Sequence, residues 1–488
     1  MKIFLTFINL LVLLTLLINP NHIHAEDKLL YKEDFKYIGS FRVPKTDMGG
    51  PTYQGLAYGG QVITYNPGKS KDDYGSLFIV GHDKNQQVAE ISIPEIIINN
   101  DINKLNTAAV IQELVDITNG NRNKITAKMT EDIVNGAKIG GLMKWGDKLI
   151  GSVYGYYDPG FNAVLSHFWT SIQLSSSPLN FSGMLDVGNK PSPVPQAGFI
   201  SGYMTPIPDN WQQALGGKAL SGMSGLSILS RTSAGPAAFS FDPDELVKLK
   251  SPAKVEAVNA LLYYGGTIET QTIGTYNSSD TLYHMGTTPT GVIFPTGTRS
   301  IIFTGRHGLG DSCYGPGTNI KEEQGNTADQ APPHNTCMGA VMTDITHACC
   351  YDPLNLSKGG HSYPNVMYAW AYDAADLERV KRGGPIRENP SQNLVDSVSP
   401  ESTENYKPWH IKPYAHWEIE LPYAQNVANL LQGASAYDER TNRLYLVQTS
   451  ADISPAYRDF PIIHVFKIDI GSGTNPSTVP EIKNINLN

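Results

Sequence analysis

Apolar residues along this chain recur in short alternating runs broken by Gly, Pro, Asn and Asp, a period that predicts strands rather than helices. Five times a strand pair is followed by a third strand with an aromatic centre. The pairs are expected at Gly55–Tyr58 with Ser76–Val80, Gly141–Lys144 with Lys148–Val153, Gly291–Phe294 with Ser300–Thr304, and Gly433–Tyr437 with Arg443–Val447. In the remaining copy, Phe199–Tyr203 and Gly225–Leu229 are separated by a Pro- and Gly-bounded stretch around Trp211. Third strands are expected at Val88–Pro94, His167–Ile172, Ala237–Phe241, Val366–Tyr372 and Ile463–Ile470, alternating as half-buried strands do.

A fourth, outer strand follows at Val110–Ile117, Phe181–Val187, Ala257–Gly265 and Tyr414–Pro422, but the last repeat ends without one. Tyr37–Pro44 matches the His416–Pro422 segment in pattern and in its terminal proline, so it is expected to complete the last sheet. The chain therefore reads as an all-β protein, a β-propeller of about five four-stranded blades closed by its own ends, an architecture that hides strand edges. Six or seven blades follow if Thr267–Met285 or the insertion after Gly305 holds a further sheet. A two-sheet sandwich is the alternative.

Lys2, the apolar run Ile3–Ile18 and a small residue at Ala25 have the three regions of a secretory leader, with cleavage expected before Glu26. Residues 26–488 then form one propeller domain carrying an insertion at about 306–364. No later segment is long and apolar enough to span a bilayer. Loss of Lys2 takes the formal charge from −9 to −10, a balance that disfavours nucleic acid as a partner. With charged residues at 17% and abundant Gly, Ser and Tyr, the composition leans towards neutral polar ligands such as glycans. No cofactor is indicated.

All four cysteines, Cys313, Cys337, Cys349 and Cys350, fall within the insertion. In an exported chain they are expected to form two disulfides, Cys313 and Cys337 each bonding one member of the adjacent pair, with the choice between the two pairings open. A metal site is the competing reading, because His307, His334, His347 and His361 lie in or beside the same segment, although no pair has zinc-finger spacing.

In a propeller, the loops after the second strands open on one end. Gly81–Asp83, Tyr154–Asp158, Ser230–Thr232, Gly305–His307 and Gln448–Ser450 should therefore ring the mouth of the channel. His82, Asp83, Tyr154, Arg231, Arg306 and His307 are the expected ligand-binding residues, His82 and His307 being able to act as acid, base or ligand near neutral pH. Carboxylates at Asp47, Asp83, Asp158, Asp311 and Asp452 belong to the same end, but no local motif selects a catalytic pair. Asp242 and Asp373 are expected instead to cap short helices after third strands, Asp242 with Pro243 at the first helical position. Trp169, Trp370 and Trp417 are expected to pack between sheets.

Ser230–Phe239, Arg306–Gly308 with Cys313–Gly315, Cys350–Pro353 and Trp370–Asp373 resemble segments of large secreted bacterial β-propeller-like proteins with no assigned activity. The resemblance implies export and a propeller body, and carries no catalytic residue. Three function classes follow: a module binding a glycan or envelope polymer, a polysaccharide-acting hydrolase or lyase, and an envelope scaffold.

Overall fold

Strands dominate the computed structural model, which describes residues 27–45, 55–68, 74–126, 136–158, 160, 162–176, 178–187, 197–225, 232–255, 257–265, 282–284, 286–423, 433–454 and 458–471. The leader expected at 1–25, Asp47, Arg231 and most of Thr267–Met285 lie outside them.

The chain is all-β, and its strands assemble into antiparallel sheets in sequence order. Sheet I comprises Ile63–Asn66, Ser76–Val80, Val88–Ser92 and Val110–Val115. Sheet II comprises Ala137–Trp145, Lys148–Gly155, His167–Ser171 and Phe181–Val187, with the short Lys254–Val255 added in parallel at its outer edge. Sheet III is Met204–Pro206, Ala219–Ser221, Ala238–Phe241 and Asn259–Leu262. Sheet IV is Thr288–Ile293, Ser300–Gly308, Asn365–Asp373 and Ala415–Glu418.

Sheet V joins the two ends of the chain. Ser435–Asp438, Arg443–Ser454 and Arg458–Ile468 are completed by the N-terminal strand Phe35–Arg42, which runs antiparallel to the last strand from Phe35 opposite Ile468 to Arg42 opposite Ile462. Asp452, almost wholly buried, receives Arg42 Nε at 2.9 Å and Lys45 Nζ at 2.7 Å, so an ion-pair cluster anchors the incoming strand.

The first strands pack beside one another. That of sheet I contacts those of sheets II and V; that of sheet III contacts those of II and IV; and those of IV and V also meet. Glycine permits the close approach: a Cβ at Gly141 would collide with Gly202 O, and one at Gly291 with Ser435 Oγ.

Two first strands differ from their sequence-based positions. In sheet I it is Ile63–Asn66, not Gly55–Tyr58, that pairs with Ser76–Val80, with Ile63 opposite Ile79. Tyr58 has φ +53°, a left-handed conformation that ends extended structure, and its segment becomes a loop against His82. In sheet III the hairpin is Met204–Pro206 with Ala219–Ser221, and the stretch around Trp211 is a short helix, α1 (Asp209–Leu215), with Trp211 fully buried. Phe199–Tyr203 is buried without forming a strand, and Leu226–Leu229 of the expected partner lie outside the described residues.

Half-buried alternation is also corrected. Ser76–Val80 and Ala238–Phe241 are buried at every position, because each sheet is packed on both faces. Phe78, Val80, Val153 and Phe168 meet between sheets I and II. Trp169, Phe239, Phe303 and Trp370 belong to the core shared by II, III and IV. Ile302, Ala371, Leu446 and Phe466 fill the space between IV and V, and Tyr65, Leu77, Tyr445 and Ile463 that between V and I. Burial of each such side chain contributes roughly 1.5–3 kcal/mol. The tryptophans pack as expected: Trp370 is fully buried, Trp169 donates Nε1–H to Leu249 O at 3.0 Å, and Trp417 lies 5.6 Å from Phe35.

Two further helices follow third strands. Asp242 caps α2 (Pro243–Leu246) by accepting from Asp244 N at 2.8 Å, and Asp373 caps α3 (Ala374–Arg382) by accepting from Ala375 N at 3.0 Å.

The insertion leaves sheet IV between its second and third strands. Its strand Cys313–Thr318 pairs antiparallel with Lys358–His361 and parallel with Cys350–Tyr351. Disulfides join Cys313 to Cys350 and Cys337 to Cys349, so Cys313 and Cys337 each bond one of the adjacent pair. Glu323 groups with Cys337 and Cys349, but those sulfurs are bonded to each other. Its carboxylate instead accepts from Met338 N, Gly339 N and Thr318 Oγ1. His361 is a buried packing residue, its Nδ1 3.0 Å from Asp352 and its Nε2 3.1 Å from Gly315 O. His347 pairs with Asp344 at 2.6 Å.

Candidate site at the loop end of the sheets

The turn after the second strand of sheet I is held rigidly. His82 N donates to Gly55 O at 2.9 Å, and Gln86 N to His82 O at 3.0 Å. Gln86 sits at φ +55°, a position unusual for a side chain of its size. Its amide explains the conformation: Nε2 donates to Asp83 O, and Oε1 accepts from Ile139 N on the first strand of sheet II, both at 2.8 Å. Gln86 thus locks sheet I's loop to sheet II, a role with no local signature in the sequence.

His82 and Asp83 take different parts. His82 packs edge-on to Tyr58 at 5.5 Å, and its Nδ1 accepts from Lys84 N at 3.1 Å. Burial lowers its pKa, outweighing the opposing pull of Asp83. Asp83 is tied to Lys138 of sheet II at 2.6 Å, an inter-sheet ion pair rather than a free acid or base.

Tyr154 ends the second strand of sheet II, and its ring fills the space left by the absent side chain of Gly140. Burial raises the pKa of its phenol, with Asp83 adding to the shift. Two residues on, Tyr156 is about half exposed and lies 5.5 Å from the Lys138 ammonium.

On sheet IV, Arg306 and His307 are consecutive, so their side chains leave opposite faces of the strand. His307 enters an aromatic shelf, with its ring centroid 4.8 Å from Tyr368, 5.7 Å from Trp370 and 5.0 Å from His284. Its Nδ1 is 3.0 Å from Thr287 Oγ1. Burial first, then His284 and His416, push its pKa down to about 3, so the ring is neutral near pH 7. Tyr368 in turn contacts His416 Nδ1 at 2.8 Å. Tyr368, Trp370 and Tyr372 alternate along one strand, and that period marks the shelf; His284 and His416 arrive from separate elements.

Arg306 takes the other side. Its Nη2 reaches Thr288 Oγ1 at 3.4 Å, whereas its buried Nε has no hydrogen-bond partner among the described residues. Burial depresses its pKa, opposed by Asp352 and Tyr156.

The fifth expected loop is displaced. Because the second strand of sheet III ends at Ser221, the residues that follow it are Gly222–Ser224; Arg231 lies outside the described residues. The other acids at this end are structural. Asp158 accepts from Asn162 N at 2.9 Å and Ala163 N at 2.8 Å, and Asp452 holds Arg42 and Lys45. Asp311 is exposed. The structure therefore brings His82, Asp83, Tyr154 and Tyr156 around the sheet I–II junction. No protein-family model, curated protein or solved structure matches the chain.

Proposed function

We propose that this protein is an exported five-bladed β-propeller that binds a neutral polar ligand, such as a glycan or surface polymer, at the loop end of its channel. The propeller reading is supported by sheets in sequence order, by first strands that each neighbour two others, and by the junction of both chain ends in sheet V. Packing on both faces of each sheet favours it over a two-sheet sandwich, whose outer faces meet water. Two disulfides are in keeping with an oxidising compartment.

The observation that carries the binding reading is Arg306. A guanidinium set at a strand end, with a buried Nε left without a partner among the described residues, is a donor awaiting an acceptor. Binding is favoured over hydrolysis because Asp83, Asp158 and Asp452 are each committed to a structural partner. A glycan array on the mature protein tests the reading. Arg306→Ala and Tyr156→Ala should each weaken any hit by about tenfold or more, in line with loss of a charge-assisted hydrogen bond or a sugar-facing ring. Undiminished binding in both variants would move the site elsewhere.

A further inference from the structure

A second concavity opens at the same end, on the outer side of the sheet I–II junction. It encloses about 240 Å3 and is lined by Asn85, Gln87, Asp116, Gly120, Arg122 and Asn123. Two loops build it, and both are fixed before any ligand arrives. The first is the Gln86-locked turn. In the second, Asp116 accepts from Thr118 N and Gly120 N, each at 2.9 Å, and Arg122 Nη1 reaches across to Asn85 O at 2.6 Å.

The lining carries unmet hydrogen-bonding capacity. Gln87 Oε1, Arg122 Nε and Asn123 Oδ1 are sealed from solvent, yet none has a partner among the described residues. Two acceptors and one donor, each costly to leave unmade, belong to side chains that line one small cavity. Their signs restrict the occupant. An anion would face two amide oxygens and the Asp116 carboxylate, and a cation would face the Arg122 guanidinium. A neutral group bearing adjacent hydroxyls satisfies all three, donating to Gln87 Oε1 and Asn123 Oδ1 and accepting from Arg122 Nε.

We propose that this pocket is a subsite for one neutral sugar unit, engaged through a pair of neighbouring hydroxyls. The assignment of a sugar rests on the glycan reading above; the place does not. No aromatic ring lines the cavity, so stacking contributes nothing and a lone monosaccharide binds weakly, with affinity coming from joint occupation of this pocket and the channel mouth by one polymer.

Saturation-transfer NMR on the mature protein, with the methyl glycosides of glucose, mannose, galactose and N-acetylglucosamine as probes, tests the proposal. At least one should show transfer with a millimolar Kd, unaffected by equimolar sulfate or calcium. Asn123→Leu and Gln87→Leu should each weaken binding by about tenfold. Asn123→Asp, which keeps the acceptor beside Arg122, should retain binding and guards against a merely unfolded leucine variant. Absence of transfer from all four probes, displacement by sulfate or calcium, or wild-type binding in both leucine variants would overturn the proposal. Transfer lost only in Arg306→Ala would sink this subsite and leave the channel reading standing. Array binding that survives Arg306→Ala and Tyr156→Ala but fails in Asn123→Leu would do the reverse.

Discussion

The sheets and the insertion within sheet IV are stabilised in opposite ways. Ser76–Val80 and Ala238–Phe241 are buried along their whole length, and five sheets share continuous apolar layers. The insertion instead leaves Val341 at 66% and Ile345 at 71% exposure, and holds its shape through two disulfides, the Glu323 carboxylate and the buried His361–Asp352 contact. A long excursion with too few apolar residues to bury has to restrict its unfolded ensemble covalently, whereas stacked sheets need only surface removed from water.

The sharpest way to break the sheet side of this contrast is to remove the strand that joins the ends. Deleting Phe35–Arg42 exposes the edge of Arg458–Ile468 and uncouples Asp452 from Arg42. Loss of the cooperative melting transition, with aggregation seen by light scattering, is the expected outcome. A monomeric truncation with an unaltered transition would show that sheet V does not depend on closure.

A smaller and local effect is expected from the staples. Replacing Cys313 and Cys350 together by Ser opens a loop of sequence separation 37. The cost should be about 2–4 kcal/mol and should fall on the insertion. Limited proteolysis ought to nick residues 309–364 early while the melting of the sheets stays nearly unchanged. Simultaneous loss of both would mean that the insertion and sheets form one cooperative unit.

The least effect concerns a helix cap bordering the packed core. Burial, with Asp376 adding to it, raises the pKa of Asp373 to about 6 despite the Ala375 N–H and the nearby arginines. The native state therefore holds a proton that the unfolded chain has released, so stability should fall as pH rises from about 4 to about 6 and level off above. Asp373→Asn keeps a capping oxygen and removes the ionisation. Chemical denaturation across this range should lose roughly 1–2 kcal/mol of its pH dependence in the variant; an unchanged profile would assign the dependence to other groups.

Much of the architecture was legible because strand periodicity is local. The third strands, the outer strands, the N-terminal strand of sheet V and the caps at Asp242 and Asp373 all follow from alternation and turn chemistry. The loop-end site was legible only in outline. His82, Tyr154 and Arg306 were reachable by counting strands, but Gln86 acts through Ile139 of another sheet and His284 through His307.

Composition and pattern by themselves determined an all-β chain, the pairing of an N-terminal strand with the last strand and the confinement of its cysteines to one insertion. Tertiary structure alone decided that Gly55–Tyr58 bends at Tyr58 instead of pairing, that Cys313 bonds Cys350, and that Asp83 and Asp452 are spent on ion pairs. The physical reason is range: alternation is written between residues two apart, whereas partner, register and electrostatic surroundings depend on segments hundreds of residues away that the chain brings together only on folding.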